Sequence, residues 1–491
     1  MMVVLLFALA LISLLVPTIA SAHVALLSAY ILPVPLPVYF LACAVTLIIT
    51  FVIIGLRVGR RQSSVPASRT LPIASGPLGH SIVQSALMIL RIGALACVAL
   101  TVIAGYVGIK HPLGNISYLL FWTFFWLGFA YLTALIGDVF EAINPWRTLV
   151  DCAQACGLDL SKARIAYPAW LAYYPALFFY VAVVCIELFL LPLPSTLATA
   201  VIIYTIVTFA GSWLFGARSW FEYGEFFGVF FRLIGLLAPV AYVRDENRRG
   251  WQLYLRRPIL PLVEARPTHM SLVLFVVFML SSTTYDALEQ TEIWQNLYWV
   301  NALALTKPLW GTDLRKAQSM LIGWYLVYRP IGLILSPFIY FGFYWLAMWL
   351  MKWSMRTKTR VQTLVQDFAY SIIPIAFVYS ITHNLTDLLG RWRAIPALLT
   401  DPFGFGWNIF HFSTIPEFKE PFEMGPIWHI QVVLILVGHI VGVYVAHLIA
   451  LRIFPERRQA ILSQVPLLTL MVAYTIIGLT ILTFPLVAAP D

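Results

Sequence analysis

Asp286, His383, Asn384, Asp387 and His439 are polar groups set into strongly apolar stretches, and their spacing is ordered. Ser282, Asp286 and Glu289 recur at i, i+4, i+7, and Ser380, His383, Asn384 and Asp387 at i, i+3, i+4, i+7. On α-helices both sets form a stripe along one face. A carboxylate and an imidazole presented together suit two kinds of chemistry: ligation of a divalent metal, zinc or copper, and proton transfer to water. Asp286, His383, Asp387 and His439 are the candidate ligands or bases, and Asn384 is a candidate for orienting a substrate. His23 adds a chelating pair, its α-amine and its ring, if the mature chain begins there. The plainer reading stands beside this one, in which each histidine serves helix packing and the stripes are helix-end polarity reaching lipid headgroups.

Groups of this kind need elements that hold them in apolar surroundings, and the composition supplies such elements. Of 491 residues, 61% are hydrophobic and 11% charged, and the mean hydropathy is +0.86. Soluble domains hold about a quarter charged residues, so this chain reads as an integral membrane protein. The net charge of +9 is the sum of loop charges and calls for no nucleic acid.

Ten stretches approach the roughly 20 residues that cross a bilayer: residues 38–56, 81–107, 116–136, 169–191, 196–215, 270–290, 320–351, 367–389, 429–451 and 465–486. The predicted fold class is therefore all-α, a polytopic bundle of about ten transmembrane helices in one domain over residues 23–491. Arg329-Pro330 and Ser336-Pro337 lie within the seventh stretch, where a kink or break is expected. Before the first stretch, an apolar run ends in Ala20-Ser21-Ala22, the small-x-small form of a signal-peptidase site. Residues 1–22 read as a signal peptide, or as an uncleaved anchor, since the segment lacks Lys and Arg before its apolar run.

Charge assigns the two faces. Alternate connections hold 22 of the 31 Lys and Arg residues, which marks them as cytoplasmic and puts both mature ends outside. Asp286 and His383 then each lie about 24 Å from the inner end of their span, at one depth in the outer leaflet. His439 lies deeper, and His447 sits near the inner end.

The remaining motifs read more simply. No cysteine of the five falls in an outer loop, and Cys152 with Cys156 lacks the second pair of a zinc site. Walker, GxGxxG, CxxCH and HExxH patterns are absent. GDVFEAINPWR, residues 137–147, reads as an interfacial anchor with Asp138 and Glu141 near a helix end. The arginine-rich stretch 244–266 reads as an electrostatic contact to anionic headgroups. DPFGFGW, residues 401–407, carries turn chemistry.

Several segments carry a resemblance: LPVPLP after His23, FEAINPWR, ARPTH with STTYD, ITHN, DPFGFGW, WHIQ with GHIVG, and SQVP with LMVAYT. Spread over nearly the whole mature chain, they resemble the bacterial polytopic membrane proteins labelled fenitrothion hydrolase. That resemblance implies a multi-pass protein of the bacterial inner membrane acting on an apolar organophosphorus triester. It implies no residue-by-residue catalytic set. The competing expectation is a metal-ion or small-solute transporter, or a non-catalytic partner of a second membrane subunit, and the proline-interrupted seventh stretch suits a transporter.

Overall fold

The computed structural model describes residues 34–58, 71–73, 77–190, 193–245, 250–310, 314–391, 394–410, 424–454 and 456–483. The expected leader, with His23, lies outside the described residues. The protein is an all-α polytopic helix bundle. Ten helices correspond to the predicted spans and are numbered here: α1 Leu36–Arg57, α2 Pro77–Val107, α3 Ile116–Ile136, α4 Tyr174–Phe189, α5 Pro194–Phe215, α6 Met270–Glu289, α7 Leu314–Met355, α8 Ile373–Arg391, α9 Met424–Ile453 and α10 Val465–Thr483. Among the described residues nine helices are long and apolar enough to cross a membrane. α4, of 16 residues, is the short one.

Local chemistry sets the helix starts. Asn115 caps α3 by accepting from Ser117 N at 3.0 Å, and its amide donates to Ala104 O at 2.8 Å, tying α3 to the end of α2. The ring of His269 accepts from Ser271 N at the start of α6, and Pro194 opens α5 where a missing N–H costs nothing. The middle of α3, Leu119–Gly128, widens into a π-helix carrying Phe121, Trp122, Phe125 and Trp126.

Of the kink or break expected in the seventh span, a break is not present: α7 continues through Pro330 and Pro337. Pro337 leaves the carbonyl of Leu333 without its helical N–H donor. The Ser336 hydroxyl donates to that carbonyl at 2.9 Å instead, which is how apolar spans tolerate proline.

Contacts sort the two ends of the bundle as the charge pattern predicts. Arg457 donates to Gly55 O, Arg452 to Val263 O and Arg266 to Asp367, so these connections share one face, the basic face. At the other face Arg329 meets Glu289 and Ile109 pairs with Phe403. Two features of the basic face were not legible beforehand. Leu71–Ile73, Val240–Asp245 and Gly250–Leu255 form an antiparallel sheet with Gly250–Leu255 in the centre, so part of the basic stretch is a hairpin. The apolar run Phe226–Gly235 is a short helix buried within the bundle.

One hydrophobic core extends from Tyr39 to Leu479. Close packing of α5 within it depends on Gly211, where a Cβ would overlap the Trp220 ring. Gly211→Ala is expected to lower the thermal midpoint of the purified protein through overpacking of about 1–3 kcal/mol. Gly93→Ala, at a lipid-facing position with open space around it, should leave the midpoint unchanged or raised. Equal melting of the two variants would remove packing as the reason for Gly211.

Candidate functional site

α6 and α8 pack along each other and bring their polar stripes together. His383 Nε2 and Asp286 Oδ2 are 2.7 Å apart, with side-chain exposures of 14% and 19%. The other carboxylate oxygen accepts from Gln290 Nε2 at 2.7 Å. An ionised carboxylate only accepts, so the hydrogen of this contact is carried by Nε2. The pair lines a cavity of about 50 Å³. Polar lining comes from Glu187, Ser282, Ser380 and Asn384, and the apolar wall includes Trp126, Tyr180, Phe230, Ile234 and Phe377. A space of this size holds a few waters.

Asn384 lies one residue beyond the histidine on the same wall, and its amide donates to Ser380 O at 3.0 Å. Tyr131 OH donates to that carbonyl too, at 3.3 Å. The side chain of Asp387 lies outside the described residues. Glu289 leaves the stripe for a different neighbour: Arg329 of α7 grips it at 2.6 and 3.2 Å and also donates to Leu188 O at 3.1 Å. His439 stands apart from the cavity, 3% exposed, with Nδ1 donating to Ile435 O of its own helix at 2.8 Å. His447 is a link between helices, accepting from Gln464 Nε2 at 3.0 Å and reaching Val58 O at 3.4 Å.

Among the described residues, which leave out His23 and the side chain of Asp387, the expected metal ligands are not gathered at one point. Zinc and copper sites draw at least three protein ligands to one point. Among the described residues no group of three His, Cys, Asp or Glu side chains is so placed. His383 already spends Nε2 on Asp286, and His439 is turned to its own backbone. Two side chains in hydrogen-bond contact are the arrangement of an acid–base pair.

Two contributors escaped the sequence reading. Glu187 is an acid within an apolar span, and an ionisable group at that depth is itself a signal. Phe230 and Ile234 belong to the run FFGVFFRLIG, residues 226–235, and an apolar run of about ten residues fits a re-entrant or buried segment. No family model, no curated protein and no solved structure matches this chain.

Proposed function

We propose that this protein is a membrane-integral hydrolase of organophosphorus triesters, with His383 as general base to water and Asp286 as the group that orients it. The observation carrying the proposal is the 2.7 Å contact between the two side chains at the wall of a water-sized cavity. The resemblance to proteins labelled fenitrothion hydrolase supports the substrate class. In the proposed step the His383 imidazole takes a proton from water as the oxygen bonds to phosphorus. The bond from phosphorus to the aryl oxygen breaks, and the nitrophenolate departs with the electron pair. Asp286 stabilises the imidazolium, which then returns its proton to solvent. Asn384, on the same wall, orients the ester. A neutral triester partitions into lipid and reaches the cavity laterally, and the wall must part to admit it.

The size of the cavity favours a second reading, a proton-coupled transporter, because a few waters between carboxylates and an imidazole suit proton passage. One preparation separates the two. Purified protein is assayed for nitrophenol release from a nitrophenyl dialkyl phosphate, and the same protein in liposomes for pH-driven flux of protons and small solutes. Hydrolysis that depends on His383 supports the first reading, and flux without hydrolysis supports the second.

We further propose that the basic face is cytoplasmic, on the strength of the arginine and lysine distribution. Cysteines replacing Glu292 and Arg257, both exposed, report on opposite faces. In intact cells an impermeant maleimide should modify Glu292→Cys and spare Arg257→Cys until the membrane is opened. The reverse pattern would invert the orientation.

A further inference from the structure

Among the described residues that line the cavity, the acids and bases are Glu187 of α4, Asp286 of α6 and His383 of α8, and no lysine or arginine joins them. Arg329 comes near through the carbonyl of Leu188, the residue after Glu187. Its charge goes to Glu289, at 2.6 and 3.2 Å, and it does not line the space. Asp286 has His383 as its partner at 2.7 Å. Glu187 therefore brings a second carboxyl group to walls that are otherwise uncharged. With both carboxyls ionised, the lining is net negative whether His383 is neutral or protonated.

We propose that Glu187 is a specificity-determining residue of this site: its carboxylate gives the cavity a negative wall that accepts a neutral phosphotriester and rejects phosphate esters that carry charge, the product included. The inference rests on the hydrolase reading and adds to it the charge of what the site takes. In so small and apolar-walled a space water screens little, so like charges repel more strongly than in solvent. Hydrolysis changes the charge of the occupant. The water oxygen bonds to phosphorus, the bond to the aryl oxygen breaks, and the nitrophenolate leaves with the electron pair. The dialkyl phosphate keeps the water oxygen, sheds its remaining proton to solvent and becomes a monoanion. A neutral substrate has become two anions, and the wall that did not oppose entry favours their exit. In the transition state the negative charge on the ester is met by the imidazolium forming at His383. Glu187 thus acts chiefly on species that arrive or depart charged.

Two unreactive probes of similar size separate charge from shape: trimethyl phosphate, which is neutral, and dimethyl phosphate, a monoanion. Their binding to the purified protein in a phosphorus-free detergent is read from broadening of the phosphorus NMR line, which needs no turnover. Trimethyl phosphate should bind wild type at least about tenfold more tightly than dimethyl phosphate, and Glu187→Gln should narrow that gap to within about threefold. Glu187→Asp keeps the charge and should keep the rejection. In turnover, kcat/KM for ethyl nitrophenyl phosphate, relative to the diethyl triester, should rise severalfold in Glu187→Gln. Glu187→Met, also neutral and of like length, repeats the test if the glutamine variant folds poorly. Equal binding of the two probes to wild type would overturn the role of Glu187 and leave the hydrolase reading standing. So would neutral variants that bind trimethyl phosphate and still reject dimethyl phosphate. Binding of neither probe to wild type would count against the hydrolase reading itself and remove this inference with it.

Discussion

His383→Ala should reduce nitrophenol release about 10²- to 10⁴-fold, the range supplied by a positioned general base. Asp286→Asn should fall nearly as far. An uncharged amide at that position cannot stabilise the imidazolium formed when the ring takes the proton. The double variant should be little worse than either single, because residues that act as a unit are non-additive. Folded yield should persist in all three, since the pair sits on a cavity wall and is not part of the dense core. Full turnover by His383→Ala would end the hydrolase reading, and the liposome flux of the same variant would then decide whether the pair carries protons. Two multiplicative single effects would instead mean that the residues act separately despite their contact.

Glu289→Gln should destabilise the protein more than any substitution at the cavity. Glu289 is 8% exposed in its side chain and Arg329 22%, and the guanidinium also lies over the rings of Phe189 and Tyr325 at 5.0 and 5.8 Å. Removing one charge of a buried pair leaves the other uncompensated, which costs about 3–5 kcal/mol. The pair also ties three helices together, because Arg329 of α7 holds Glu289 of α6 and the Leu188 carbonyl of α4. The double variant Glu289→Leu with Arg329→Met should recover much of the loss, since well-packed apolar replacements remove both desolvation penalties. Thermal unfolding in detergent measures both. A double variant no better than Glu289→Gln would show that the backbone bond to Leu188, and not the charge pair, is what the site contributes.

The chemistry of the candidate site was partly legible because helical spacing is a one-dimensional property. Asp286 and His383 each belong to a polar stripe and lie at the same calculated depth, and they are in contact. Their stripe-mates were not assignable that way. Ser282, Asp286 and Glu289 span an arc of about 60° around the helix axis, wide enough to face two neighbours. The rotation of α6 gives Asp286 to α8 and Glu289 to α7. His439 shows the same limit: it was a candidate ligand by residue type, but its facing turns Nδ1 to the Ile435 carbonyl and leaves it off the cavity.

GDVFEAINPWR shows a different limit. Read alone, its charges and tryptophan suit a membrane interface. Beside Phe226–Gly235 they form a cradle, with Asn144, Phe140 and Trp146 each meeting a partner more than 75 residues away. Nothing local in either segment specifies the other.

The sequence by itself determined the all-α class, where the helices run and which connections share a face. Apolar length and the cost of carrying Lys and Arg across lipid act along the chain, residue by residue, and need no partner to be read. Only the tertiary structure decided that Asp286 pairs with His383 while Glu289 goes to Arg329, and that a buried ten-residue helix walls the cavity. Those outcomes depend on how each helix is rotated about its axis and on which helix lies beside it. Side-chain packing between distant segments sets both, and hydropathy and charge do not record it.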